Sequence, residues 1–202
     1  MSGQKIFKLR LTILSFLQFF VWGAWLLSFG KYMASTLGFT GKEIGAVFMT
    51  LGIASVFMPG IMGIIADKWT GPNRLYAVTH IVGAFLLYNM AQQTTFNSLY
   101  WATLIYLMLY MPTISLNYSV SYCLLKKEGF KDVVKEFPPI RVWGTIGFII
   151  AVWITDLMGW GTTKYQFYFA AVSSLVLGFY TLTLPNCPVV KEKNRTLSQA
   201  LG

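Results

Sequence analysis

The sequence predicts an all-α membrane protein, a bundle of six transmembrane helices. Three observations carry this. Mean hydropathy is +0.58 and charged residues make up only 11% of the chain, which is outside the range of soluble domains. Apolar runs long enough to cross a bilayer as helices recur along the chain with short gaps between them. Lysine and arginine gather in alternate gaps, as they do on the cytoplasmic side of membrane proteins.

The runs are roughly Leu11–Tyr32, Ile44–Ala66, Leu75–Met90, Leu99–Leu124, Phe137–Met158 and Phe167–Leu184. The first follows Lys5, Lys8 and Arg10 and has no early small-residue cleavage site, so it reads as a span and not a signal peptide. The second opens on Thr40-Gly-Lys-Glu43, the pattern of a capping box. The third is the least apolar and the shortest. Pro59 and Pro112 fall inside the second and fourth, where each removes a backbone hydrogen bond and is expected to kink its helix.

Orientation follows from the basic residues. Lys5, Lys8 and Arg10, then Lys68 and Arg74, then Lys126, Lys127, Lys131 and Lys135, and finally Lys191, Lys193 and Arg195 fall on one side; Lys31, Lys42 and Lys164 fall on the other. Both ends are therefore expected in the cytoplasm. The net charge of +9 does not indicate nucleic acid, because these residues flank spans and form no stripe on a soluble face. Cys123 at a helix end and Cys187 in the tail suggest neither a disulfide framework nor a metal site.

Polar residues inside the spans point to a site. Arg141 lies early in the fifth run with no acid within four residues on its C-terminal side, and a guanidinium does not lose its proton. Toward the bilayer centre it costs about 2.5–3.5 kcal/mol unless it faces water, a partner or a ligand. Snorkelling to the headgroups is the alternative. Arg141, Thr145 and Phe148 share one helical face, a cation, a hydroxyl and a ring together. Gly144, Gly147 and Ala151 form a second strip where a neighbouring helix can come close. In the first span Gln18, Trp22, Trp25 and Phe29 fall on one face, and in the fourth Tyr110, Thr113, Asn117 and Ser121 do. Interhelical hydrogen bonding explains each amide singly; several such faces together favour a shared polar cavity. His80, the one histidine, reads as structural rather than as a proton relay, since no acid lies near it in sequence. No nucleophile–base pair or metal spacing lies within a span, so an enzyme is not indicated.

The turn between the second and third spans reads Gly63-Ile-Ile-Ala-Asp67-Lys68-Trp-Thr-Gly71-Pro-Asn-Arg74. Gly63 would permit close helix approach, and Asp67 at a helix C-terminus opposes the dipole unless a cation or helix N-terminus receives it. Gly63, Asp67, Lys68 and Arg74 resemble the signature of the major facilitator superfamily, with the later glycine displaced by one to Gly71. Nearly the whole chain resembles the bacterial nucleoside–proton symporters. The resemblance rests on Ile13-Leu-Ser-Phe-Leu-Gln18-Phe, Ser55-Val-Phe-Met-Pro59-Gly, Ala66-Asp-Lys-Trp69, Tyr110-Met-Pro-Thr113, Leu182-Thr-Leu-Pro185 and above all Phe137-Pro-Pro-Ile-Arg-Val-Trp-Gly-Thr-Ile-Gly-Phe148.

The resemblance implies the N-terminal six-helix half of a twelve-helix carrier in the bacterial inner membrane, with residues 1–185 as the transmembrane domain and 186–202 as the start of a cytoplasmic linker to a missing C-terminal half. It implies that Arg141, Thr145 and Phe148 line a nucleoside site, and that Gly63, Asp67, Lys68 and Arg74 form a cytoplasmic gate. Gln18, Trp22, Trp25, Tyr110 and Asn117 are further candidates, although Asn117 stands one residue away from the family's position. No cofactor is expected beyond the coupling proton. The acids Glu43, Asp67, Glu128, Asp132, Glu136, Asp156 and Glu192 all lie near helix ends or in loops, so the coupling acid is expected in the other half. The alternatives are a carrier of a sugar or other small polar metabolite, and a transport-incompetent fragment or membrane scaffold.

Overall fold

The computed structural model describes residues 3–187. The expected tail residues Lys191, Lys193 and Arg195, and most of the expected linker, lie outside the described residues, as does the side chain of Asp67. The helices are α1 (Gly3–Gly23), α2 (Leu26–Ser35), α3 (Gly41–Ile65), α4 (Pro72–Met90), α5 (Phe96–Lys127), α6 (Val133–Leu157) and α7 (Tyr165–Leu182). Taking α1 and α2 together, they form the six expected spans.

Five of these spans are long and apolar enough to cross a membrane. The exception is α4, whose 19 residues extend about 28 Å, close to the hydrocarbon thickness of about 30 Å. Its low hydropathy has a structural cause. Asn73, Thr79 and His80 are buried polar side chains on this helix, and they turn into the bundle, not toward lipid.

The first span is not the single helix its hydropathy suggests. It breaks between Gly23 and Leu26, at Ala24 and Trp25. A Cβ on Gly23 would overlap the backbone carbonyl of Phe148 on α6, so the two chains touch backbone to backbone here. The break frees the carbonyl of Ala24, and the Thr155 hydroxyl of α6 donates to it at 2.9 Å. Two turns earlier on α1, the backbone of Phe16 meets Gly147 with no room for a methyl group. The small-residue strip of the fifth span is thus the seam on which α1 packs against α6, one of the most extensive helix pairings in the fold.

Elsewhere α4 packs between α5 and α7, and α3 lies chiefly on α5. The capping box at α3 is present. Glu43 accepts from the Thr40 backbone N–H at 2.8 Å, and Thr40 accepts from the Glu43 N–H. Both α3 and α5 run through their prolines as continuous helices. Helix α6 begins four residues before the expected start, because Asp132 caps it by accepting from the Lys135 N–H at 3.1 Å. Pro138 and Pro139 then fall inside the helix. The carbonyls they leave free belong to the exposed Val134 and Lys135, within reach of water.

Between α3 and α4 the chain makes a π-helical turn, Ala66–Thr70, and reverses at Gly71, whose φ is +75°. A side chain there would be strained, and Pro72 at the first turn of α4 suits its fixed φ. The displaced glycine of the signature is therefore the residue that this turn requires. Among the described residues no atom comes within 4 Å of the place a Cβ on Gly63 would occupy. Any helix it admits comes from outside the described residues.

The basic segments gather at one end of the bundle. Arg10 of α1 donates to the Thr183 carbonyl at 2.5 Å, Lys8 pairs with Glu136, and Lys127 reaches the Asn186 carbonyl. Asn73 grips the chain after α7, donating to Asn186 at 3.2 Å and accepting from the Cys187 N–H at 3.2 Å. A disulfide joins Cys123 to Cys187, with Cα atoms 6.2 Å apart. This corrects the expectation of two unrelated cysteines. Their proximity depends on α7 returning beside the end of α5, which spacing along the chain cannot show.

Candidate substrate site

Arg141 turns into the bundle. It stands on the third turn of α6, about 12 Å from the helix start. Its Nε donates to the Tyr118 hydroxyl of α5 at 3.1 Å, and its guanidinium lies 3.6 Å from the centroid of the Phe19 ring of α1. A headgroup-seeking side chain would extend along the helix, so snorkelling does not describe this residue. Gly144 makes the arrangement possible, because a Cβ there would come within 2.9 Å of Arg141 Nη1 and 2.5 Å of the Phe19 ring. Among the described residues the ion pairs are Lys8–Glu136 and Lys135–Asp132, so the half-buried charge of Arg141 has no carboxylate.

Thr145 is exposed and Phe148 half-buried on the same face of α6. Trp22 of α1 meets Phe148 edge-on at 6.2 Å, and also contacts Phe19 and Tyr110. Its indole Nε1 is buried without a hydrogen-bond partner. A cation with no carboxylate partner among the described residues and an exposed hydroxyl, beside the half-buried Phe148 and Trp22 rings, make a face able to bind a polar molecule carrying several acceptors.

The structure brings only part of the sequence-derived set together here. Arg141, Thr145, Phe148 and Trp22 share the face. Trp25 does not, because the break after Gly23 changes the helical phase. Its ring is 1% exposed, packed among Phe29, Tyr106 and Phe167. Gln18, Tyr110 and Asn117 lie behind the face, fully buried in a hydrogen-bond network. Gln18 donates to Thr113 Oγ1 at 2.8 Å and accepts from the Tyr76 hydroxyl at 2.5 Å. Tyr110 donates to the Gln18 backbone carbonyl at 2.8 Å, and Asn117 links Tyr76 to Ser15 through longer contacts. His80 lies 2.9 Å from Gln18 Oε1 and 3.1 Å from Ser174 Oγ. At the basic end, Lys68 and Arg74 are exposed.

Sequence reasoning missed Phe19 and Tyr118, which hold Arg141, and Tyr76 and Ser174, which complete the network. Phe19 precedes Trp22 by three residues, so helical spacing could have found it. Nothing in the sequence ties Tyr118 to Arg141.

Residues 5–202 match the sequence profile of the family described as Nucleoside H+ symporter. The chain is 48% identical over 196 residues to the nucleoside permease NupG of Escherichia coli, covering 96% of this chain and 47% of that protein. It is 47% identical over 195 residues to the xanthosine permease of the same organism, with 96% and 46% covered. A crystal structure of the nucleoside transporter NupG superposes with a TM-score of 0.88 at 48% identity, over 94% of this chain and 47% of that one. A mutant of that transporter gives 0.92 at 46% identity, over 96% and 48%. The chain thus spans about half the length of the relatives it matches, and its helices adopt half of a major facilitator fold. On the profile, the identities and the superposition together, this multi-pass membrane chain belongs to the nucleoside–proton symporter family.

Proposed function

We propose that the chain is the N-terminal half of a carrier that imports nucleosides with protons by alternating access, in a bacterial inner membrane with both ends of the half in the cytoplasm. The observation that supports this best is Arg141. It is a half-buried cation laid on an aromatic ring, without a carboxylate partner among the described residues, beside Thr145 and Phe148. A nucleoside offers what this face lacks: carbonyl and ring-nitrogen acceptors for Arg141, ribose hydroxyls for Thr145, and a flat base for Phe148.

Two halves rocking around a shared site need a second six-helix unit. Helices α3 and α6 leave the largest share of their spans uncovered, and the second half would pack there. It would also supply the titratable acid that proton coupling requires. Lys68, Arg74, Asp67 and the unfilled space at Gly63 would then belong to the gate where the halves meet on the cytoplasmic side.

The test is uptake of labelled uridine by the full-length protein carrying Arg141→Ala. Uptake is expected to be lost while the protein reaches the membrane at wild-type level; normal uptake overturns the site. A sugar or another small polar metabolite is the competing cargo. Nucleosides, but not sugars, are expected to compete with the label.

A further inference from the structure

We infer that Gln18, His80 and Ser174 form a strut that positions Tyr110 and Trp22 behind the proposed substrate face, and that His80 acts in transport as a hydrogen-bond donor to Gln18. This rests on the nucleoside-site reading above for what the strut serves, but not for how it is built.

Counting donors and acceptors orients the network. The Thr113 hydroxyl donates to the Tyr110 carbonyl at 2.5 Å. Its oxygen is then free to accept, and Gln18 Nε2 donates to it at 2.8 Å. That places Gln18 Oε1, which can only accept, against both the Tyr76 hydroxyl and His80 Nε2. His80 therefore carries its proton on Nε2. The Ser174 hydroxyl donates to the His80 carbonyl at 2.8 Å and lies 3.1 Å from His80 Nδ1.

His80 is 1% exposed. The titratable groups packed against it are Tyr76 on its own helix and Tyr110 on α5, while α1 and α7 present Gln18 and Ser174.

The strut joins four helices and ends at the site. Gln18, held by His80, Tyr76 and Thr113, also receives the Tyr110 hydroxyl on its backbone carbonyl. The Tyr110 ring supports Trp22 at 6.0 Å, and Trp22 meets Phe148. His80 touches none of the face residues, so its effect on substrate travels through Gln18 and Tyr110.

The experiment uses the full-length transporter. Uridine uptake is measured across a pH series for wild type, His80→Leu and His80→Gln, and the imidazole is observed by 15N NMR, assigned by the signal lost in His80→Gln. Leucine removes the donor, so KM is expected to rise about tenfold, the scale of one buried hydrogen bond, with maximal rate and membrane level little changed. Glutamine returns a donor to the Nε2 position and is expected to restore KM, and the midpoint of the pH profile stays put in both variants. The NMR signal is expected to show a proton on Nε2. Wild-type KM in His80→Leu, a shifted pH midpoint in His80→Gln, or an Nε2 without a proton overturns the inference. If the leucine variant fails to reach the membrane, the glutamine variant and the NMR signal still decide. Normal uptake by Arg141→Ala would remove the substrate face and leave the ring's protonation state as the separate reading of the strut.

Discussion

The guanidinium of Arg141 lies 3.6 Å from the centre of the Phe19 ring. This one contact sets the direction of the cation. Planar, weakly hydrated guanidinium stacks on an aromatic face while its edge still donates, here to Tyr118. A compact ammonium does neither as well. Arg141→Lys in the full-length protein is therefore expected to lose most of its nucleoside affinity although the charge remains. Titration calorimetry of purified wild type and variant checks this, and equal affinities would show that charge alone matters.

Gly144 leaves the space that Arg141 and Phe19 fill. Gly144→Ala is expected to push the guanidinium off the ring, raising KM for uptake severalfold while the bundle stays folded. An uptake assay beside a thermal-unfolding measurement separates this local effect from a general loss of stability.

Gly147 and Gly23 act on stability instead. Each meets backbone on the opposing helix, and backbone cannot move aside as a flexible side chain can. Gly147→Ala is expected to cost about 1–3 kcal/mol, the usual range for overpacking, read as a lowered melting temperature in detergent.

The break in the first span depends on Thr155, which satisfies the Ala24 carbonyl. Thr155→Val keeps the shape and removes the donor. The unsatisfied buried carbonyl is expected to cost about 1–3 kcal/mol, whereas Thr155→Ser retains most of the stability. Thermal unfolding of the two variants side by side makes the comparison.

Cys123 and Cys187 are joined at the end of the bundle that carries the basic segments, which the proposed orientation puts on the side where thiols are usually kept reduced. Asn73 and Lys127 hold the same stretch by hydrogen bonds, so its place does not depend on the disulfide alone. Alkylation of the purified protein under air is expected to spare both cysteines until a reductant is added. Cys123→Ser is expected to leave folding intact, checked by membrane level and size-exclusion profile.

Much of the architecture was legible from residue order, because each signal involved was local. Hydropathy marked the spans, alternating basic gaps put their ends together, Thr40 and Glu43 capped α3, and glycines at helical spacing foretold the α1–α6 seam. The face of Arg141, Thr145 and Phe148 was legible for the same reason, since one unbroken helix carries all three. Helical phase failed only where its premise failed. Trp22 and Trp25 look like neighbours on one face until the chain breaks between them, and Trp25 then turns into the core.

What residue order determined by itself is a membrane-spanning helical bundle, its sidedness of charge, and a cation that either the bundle or the lipid headgroups had to answer. The tertiary structure alone decided what answers it. Phe19 and Tyr118 come from other helices, and Gln18 meets His80 and Tyr76 across more than fifty residues of chain. Such contacts depend on how helices rotate and approach one another, and that is settled by packing volumes and hydrogen-bond closure summed over the whole bundle, which no single stretch encodes.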